Sequence, residues 1–190
     1  MLSETICGSY LLSSFSNTMN YFEFYKITPS FYIDEEHLKK MFYQYSKDFH
    51  PDFHALKSEE EQQKMLDLST LNNKSFFVLK SFNTRLEYLL KLKGVLVEEE
   101  KYALSPDFLM EMMEMNEEIM DLSFDPDEAK TEQLKQKSKA IEEEIEEEIK
   151  NKAKAYDERG EEGILLEIKD LWYRKKYLLR IRDSLNKFAT

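Results

Sequence analysis

The tripeptide His50-Pro51-Asp52 separates two helical stretches and constrains the fold of this 190-residue chain more than any other feature. Pro51 cannot continue the first helix and disfavours a helical conformation at His50, so the chain must turn here. Ser58 followed by Glu61 is a capping-box pattern that opens the next helix. The sequence therefore predicts a helical hairpin with His50 and Asp52 at its tip. The apolar stripe of its first helix is predicted to be Leu38, Met41, Phe42, Tyr45 and Phe49.

Composition indicates a mainly helical, acidic protein. The chain has only 4 Gly and 4 Pro, and its net charge of −11 argues against nucleic acid or an anionic membrane as a partner. Polar residues interrupt every apolar run well short of a bilayer span, which predicts no transmembrane helix. The single cysteine, Cys7, excludes an internal disulfide framework and a multi-cysteine zinc site. We expect a reducing setting and no cofactor.

Capping signals and breakers divide the chain into two helical halves. Residues 95–104 form a short connection between them. Ser105-Pro106 is predicted to start a new helix, and Asp125-Pro126 to start the next, which ends near Gly160. The predicted helices of the first half are Asn20–Lys26, Asp34–Asp48, Ser58–Lys80 and Asn83–Lys93. A last helix is predicted from Glu162 to Phe188. The three helices of the second half should pack as a bundle.

The long helix before Gly160 carries two acidic runs, at 142–144 and 146–148. They surround an apolar seam predicted to consist of Ile141, Ile145, Ile149 and Ala153. We interpret the glutamates as the solvated flanks of this helix, with lysines in i,i+4 reach relieving part of the repulsion.

The helix that begins at Pro106 has two apolar faces. Phe108, Met112, Met115, Ile119 and Leu122 share one side, which suffices to face a bundle core. A second side carries Leu109, Met113 and Met120, flanked by Met110, Glu114, Glu117 and Asp121. Either both faces are internal, since methionine fills irregular gaps well, or the second is an exposed apolar strip suited to a protein partner.

The hairpin resembles a J domain, the module that stimulates ATP hydrolysis by DnaK-type chaperones. From Met19 to the C-terminus the chain is similar to the HscB/Jac-type co-chaperones of iron–sulfur cluster assembly. Four ordered motifs carry this resemblance: Tyr21-Phe22-Glu23-Phe24-Tyr25; the segment from Tyr45 to Asp52; Leu71-Asn72-Asn73-Lys74-Ser75-Phe76, where J domains commonly read L-N-x-A-Y; and Arg85-Leu86-Glu87-Tyr88-Leu89-Leu90 with Phe108-Leu109-Met110-Glu111.

The resemblance implies an all-α protein with a defined domain order. A J domain would occupy residues 19–94, a linker 95–104, and a three-helix scaffold-binding domain 105–190, in an L-shaped arrangement. Residues 1–18 carry no Lys or Arg, unlike a secretory signal or a transit peptide, and we expect a disordered leader. We therefore expect a bacterial cytoplasm rather than the mitochondrial matrix.

Two binding sites follow from the resemblance. His50, Pro51 and Asp52, with Lys40, Tyr43 and Lys47 on the exposed face of the second helix, would bind a DnaK/HscA-type ATPase chaperone. Asp52 would offer its carboxylate to a cationic group, His50 would supply hydrogen bonds, and Pro51 would fix the loop. An IscU-type iron–sulfur scaffold protein would be bound by Leu109, Met110, Met113, Glu114, Glu117, Asp121 and, by a loose alignment, Tyr173; Trp172 is expected in the core.

Other readings of the same residues remain. By themselves, His50, Pro51 and Asp52 are also what an ordinary helix end and turn contain. His50 and His54 have the spacing of a helical zinc motif, but Pro51 breaks that helix, so we predict no metal site and treat His54 as a surface turn residue. The alternatives to the co-chaperone function are a J protein that serves another client and a helical interaction module. We predict no enzymatic activity, because no nucleophile–base pair or phosphate loop can be assembled.

Overall fold

The computed structural model describes residues 19–187, in which every regular element is helical and no β-strand occurs. This confirms the all-α prediction; the expected leader at 1–18 lies outside the described residues. The helices are α1 (Tyr21–Phe24), α2 (Glu35–Asp48), α3 (Glu59–Leu79), α4 (Phe82–Leu92), α5 (Pro106–Phe124), α6 (Glu128–Arg159) and α7 (Glu162–Lys187). A 3-10 turn, Pro51–His54, lies between α2 and α3. The chain forms two compact units, divided between Tyr88 and Leu89.

Most helix boundaries lie where the capping residues predicted them. The Asp34 carboxylate accepts the His37 N–H at 2.8 Å and starts α2, while Ser58 caps α3 through the Glu61 N–H. Gly94 and Gly160 adopt positive φ angles of 69° and 70°, which glycine tolerates without a Cβ clash and which end α4 and α6.

Two predicted boundaries and one predicted cap need correction. Helix α1 ends at Phe24 instead of Lys26, because Lys26 is in the left-handed region with φ 55°. Helix α5 starts at Pro106 as predicted, but Ser105 makes no side-chain cap hydrogen bond. Helix α6 starts two residues later than expected, since Asp127 and not Asp125 accepts the first free N–H, that of Lys130 at 3.0 Å.

The core of the first unit is aromatic. Phe22, Tyr25, Phe31, Leu38 and Leu79 are buried between α1, α2 and α3. The predicted α2 stripe faces this core, although only Leu38 in it is fully buried and its other members are half-buried. Ring contacts between helices hold it in place: Phe42 stacks on Phe76 at 4.0 Å, and Tyr45 lies parallel to Tyr25 at 5.9 Å.

Arg85 of α4 is the largest fully buried side chain of the first unit, with 2% of its surface exposed. Its guanidinium donates to the carbonyl of Phe31 at 2.8 Å and to the carbonyl of Leu79, and it meets Glu35 at 3.4 Å. A buried cation is tolerated only when its donors are satisfied, and here they are. Arg85 thereby ties the loop before α2 to the end of α3.

The second unit is a three-helix bundle in which α6 and α7 form the longest contact and α5 packs against both. The predicted core face of α5 is buried in all five of its residues. The α6 seam is also confirmed, with Ile145, Ile149 and Ala153 buried and Ile141 half-buried. Trp172 of α7, expected in the core, is half-buried, and the Lys176 ammonium lies 4.2 Å from its ring centroid.

The acidic runs of α6 are more than solvated flanks. Glu146 pairs with Lys175 of α7 at 2.5 Å and Glu142 with Arg182 at 2.7 Å. The hydrogen bond from Lys175 lowers the pKa of Glu146, against the opposing effect of burial. Two glutamates one helical turn apart therefore join α6 to α7, which the sequence pattern did not reveal.

The connection between α4 and α5 is attached to α7. The Tyr102 ring stacks on that of Tyr173 at 4.4 Å, and its hydroxyl donates to Asp170 at 2.9 Å. Lys169 pairs with Glu100 at 2.7 Å. Two residues of the segment 95–104, predicted as a short connection, therefore contact α7: Glu100 and Tyr102.

Candidate functional site

The hairpin tip is held in one shape by its own hydrogen bonds. His50 is extended, with φ −65° and ψ 127°, as expected before a proline. The Asp52 N–H donates to Nδ1 of His50 at 3.3 Å, and the Phe53 N–H donates to the His50 carbonyl at 3.1 Å. From α3, the Gln62 amide donates to the carbonyls of Ala55 and Lys57. Both ends of the tip are thus fixed to the hairpin.

These bonds define which groups the tip presents. Because Nδ1 of His50 accepts a hydrogen bond, the neutral imidazole carries its proton on Nε2, which leaves an N–H donor for another molecule. The Asp52 side chain is 85% exposed, with Oδ2 3.7 Å from Nδ1 of His50. A directed donor and a carboxylate therefore stand side by side in solvent.

His54 differs from the prediction of a simple surface residue. It is half-buried, and its Nε2 lies 2.7 Å from the carbonyl oxygen of Asp48, so it fastens the 3-10 turn to the end of α2. Among the described residues, no three His, Cys, Asp or Glu side chains are grouped to hold a metal ion.

The predicted basic face of α2 is exposed. Lys40, Tyr43 and Lys47 all point to solvent, at the three- and four-residue spacing that places side chains on one face. Helix α2 continues directly into the tip, so His50 and these residues belong to one element.

In the second unit, adjacent methionines of α5 have opposite environments. Met112 is fully buried at 0% exposure, whereas Met113 is 58% exposed. The structure thus decides between the two readings of α5 and leaves the second apolar face open. Leu109 is half-buried on this face, and the following predicted residues are exposed: Met110, Met113, Glu114, Glu117 and Asp121.

The remaining predicted site residue is Tyr173 of α7. It is half-buried, and the Tyr102 ring covers one side of its ring. The Trp172 and Tyr173 rings are T-shaped to each other, with their centroids 4.8 Å apart. Burial raises the pKa of its hydroxyl. Its role in binding stays a prediction. By contrast, Phe124 at the end of α5 is 84% exposed and was not predicted as a site residue, although it follows Met120 by four positions.

Comparison with known proteins agrees with both units. A family model described as the HSCB C-terminal oligomerisation domain matches residues 104–186. A co-chaperone protein HscB homolog from Vibrio parahaemolyticus is 31% identical over 177 residues, covering 88% of this chain and 95% of that protein. The homolog from Vibrio atlanticus is 34% identical over 138 residues, with 67% and 81% coverage.

Solved structures lead to the same family. The chaperone HscB from Vibrio cholerae superposes with a TM-score of 0.62 at 26% identity, covering 89% of this chain and 96% of that one. The human co-chaperone protein HscB gives 0.67 at 28% identity, with 89% and 81% coverage. None of the helices within residues 19–187 is both long and apolar enough to cross a bilayer. The chain, with its exposed His-Pro-Asp tip and its helical bundle, belongs to the HscB family of J-domain co-chaperones.

Proposed function

We propose that this protein binds an IscU-type iron–sulfur scaffold, delivers it to a DnaK/HscA-type chaperone and stimulates the ATPase of that chaperone. The observation that carries the proposal is the exposed, preorganised tip, in which the His50 Nε2–H and the Asp52 carboxylate are both free to contact a partner. The membership of the chain in the HscB family supports it.

The tip acts on the chaperone without breaking a bond itself. Asp52 accepts hydrogen bonds from a cationic group of the nucleotide-binding domain, and His50 donates one. Because the loop is already ordered, little conformational entropy is lost on docking. Stimulation then requires that these contacts be stronger in the hydrolysis-competent conformation of the chaperone than in its resting one.

Lys40 and Lys47 orient the encounter. The whole chain carries a charge of −11, so a positive strip on α2 is the part that an acidic surface would attract. Charge complementarity of this kind raises association rates more than it lowers dissociation rates. Tyr43 lies between the two lysines and adds apolar contact area.

The open face of α5 binds the scaffold. Met110 and Met113 are flexible, exposed apolar side chains, and the neighbouring carboxylates Glu114, Glu117 and Asp121 favour a basic partner surface.

Location in a bacterial cytoplasm stays a prediction from the sequence.

The decisive experiment is a steady-state ATPase assay of the organism's own DnaK-type chaperones, with and without the IscU-type scaffold. Wild type should stimulate one chaperone most strongly when the scaffold is present, and His50→Gln should abolish the stimulation. His37→Gln serves as the matched control, since His37 is exposed at the start of α2, away from the tip. Stimulation that is independent of the scaffold would point to a J protein with another client, and full activity of His50→Gln would refute the mechanism.

A further inference from the structure

The open apolar face of α5 continues beyond the residues that resemblance assigns to it. Met120 and Phe124 follow Met113 at seven and eleven positions, spacings that keep side chains on one face of a helix. Met120 is exposed, and Phe124, at 84%, is the most exposed aromatic residue in the part of the second unit that the structure describes. A larger fraction of Phe124 is exposed than of Met113 or Met120, which are 58% and 61% exposed. An aromatic side chain of this kind contributes strongly when it is buried at an interface.

A cleft of about 390 Å³ lies beside Phe124, between the end of α5 and the start of α6. The apolar side chains of Leu122 and Leu134 line it together with Phe124. The polar side chains that line it are Glu118, Asp121, Asp125 and Lys130.

The charge of this cleft is negative. Glu118 is already 3.9 Å from Lys137 of α6, which offsets part of its charge. The other two acidic residues that line the cleft are Asp121 and Asp125. Lys130 is the one basic residue in the lining that can offset their charge. The same side of α5 carries Glu114 and Glu117, so the cleft continues an acidic edge that runs along the helix.

We propose that the partner-binding surface of the second unit extends to the C-terminal end of α5, where Phe124 is an anchor and the adjacent cleft receives a Lys or Arg side chain of the same partner. This inference rests on the proposed function and names two further specificity-determining residues for it, Met120 and Phe124. The partner segment that fits is apolar with an adjacent cation.

A second copy of this chain fits the surface poorly. It would bring its own acidic edge against Asp121 and Asp125, and like charges in contact cost free energy. A chain with a net charge of −11 also repels itself at long range. A basic partner gains from the same charges, which favours a different protein.

The apolar half of the inference is tested by isothermal titration of the intact chain with the purified IscU-type scaffold of the same organism. Phe124→Ala should weaken binding about tenfold or more, and Met120→Ala by several fold, without a change in the thermal unfolding midpoint. Leu166→Ala is the control, because Leu166 is an apolar residue on α7 of the same unit that is 59% exposed, close to the 61% of Met120. It should bind the scaffold like wild type.

The charged half uses a pair of substitutions with equal change in net charge. Asp125→Lys places a cation at the cleft and should weaken scaffold binding about tenfold, whereas Glu161→Lys, between α6 and α7, should change it less than about threefold. The difference between the two should shrink as salt is added, since salt screens exposed charges.

The outcomes separate this inference from the function on which it rests. If Met113→Ala weakens binding while Phe124→Ala, Met120→Ala and Asp125→Lys do not, the surface ends at the predicted strip, so the extension is wrong and the proposed function stands. If wild type does not bind the scaffold, both fail together. If sedimentation shows a wild-type dimer that Phe124→Ala dissociates while scaffold binding is retained, a second copy is the occupant and the inference is overturned.

Discussion

The Tyr25 hydroxyl donates a hydrogen bond to the side-chain oxygen of Asn72 over 2.7 Å, deep in the first unit. The Asn72 amide in turn donates to the Phe42 carbonyl at 3.2 Å and to the Ser46 hydroxyl at 3.0 Å. One buried asparagine of α3 thus joins Tyr25, the residue that follows α1, to the middle of α2. Satisfied polar networks of this kind specify a single packing of the helices that they connect. The hairpin that presents the tip depends on this network.

Removing either partner should destabilise the first unit, and the two effects should not add. Tyr25→Phe is expected to lower the free energy of unfolding by ~1 kcal/mol, and Asn72→Ala by ~1–3 kcal/mol, because the buried Asn72 side chain makes hydrogen bonds to Tyr25, Phe42 and Ser46. A double-mutant cycle should give a coupling of ~0.5–1.5 kcal/mol. Hydrogen exchange of peptides from α1, α2 and α3 in the intact chain measures the stability of the first unit in each variant. Tyr43→Phe, at an exposed tyrosine, is the control, and additive losses would contradict the network.

Ser75→Ala should stabilise the protein. Ser75 is fully buried in α3, and its hydroxyl has no hydrogen-bond partner among residues 19–187, so the fold carries the cost of desolvating that group. Alanine also favours the helical conformation. The expected gain in unfolding free energy is ~1 kcal/mol by chemical denaturation. Ser46→Ala should have the opposite sign, because the Ser46 hydroxyl bonds to Phe42 and Asn72. A loss of stability in Ser75→Ala would show that its hydroxyl does have a partner.

The neighbouring residues Met112 and Met113 should separate stability from binding. Met112→Ala empties a fully buried site and should cost ~2–5 kcal/mol of stability. Met113→Ala removes an exposed side chain and should leave stability nearly unchanged while weakening scaffold binding by ~1–3 kcal/mol. Fluorescence of Trp172, the only tryptophan, reports unfolding of the second unit. A titration with the scaffold measures the change in binding. Equal destabilisation by the two substitutions would refute the open α5 face.

Tyr102 should make the stability of the second unit depend on alkaline pH. Burial, then the hydrogen bond to Asp170 and the charge of that residue, raise the pKa of Tyr102 to about 12. An unfolded tyrosine titrates near ~10. The native state therefore holds the proton more tightly, and this contribution to stability is present below about pH 10 and lost as pH rises to about 12.

The measurement compares wild type with Tyr102→Phe. The difference in their unfolding free energies should change between about pH 10 and 12 and stay constant at lower pH. Ultraviolet absorbance of tyrosinate gives the titration directly. A pH-independent difference for Tyr102→Phe would mean that its hydroxyl is not held by Asp170.

The sequence by itself determined the features that depend on neighbouring residues. Helical periodicity, caps such as Asp34 and Ser58, and the positive φ of Gly94 and Gly160 are local effects of one residue on the backbone beside it. Angular spacing on a single helix also separated Met112 from Met113. The boundary errors at α1 and α6 arose where two nearby residues competed to cap or end a helix.

Only the tertiary structure decided which distant groups meet. Nothing local to Arg85 indicates that its guanidinium would be buried against the carbonyls of Phe31 and Leu79. Periodicity likewise could not distinguish Glu146, paired with Lys175, from the exposed Glu147 beside it. The sequence could not predict the exposure of Phe124 for the same reason. An apolar residue at the end of a helix is buried or exposed according to what packs beside it. Spacing along one helix determines the direction in which a side chain points, but the residue that it contacts there lies elsewhere in the chain.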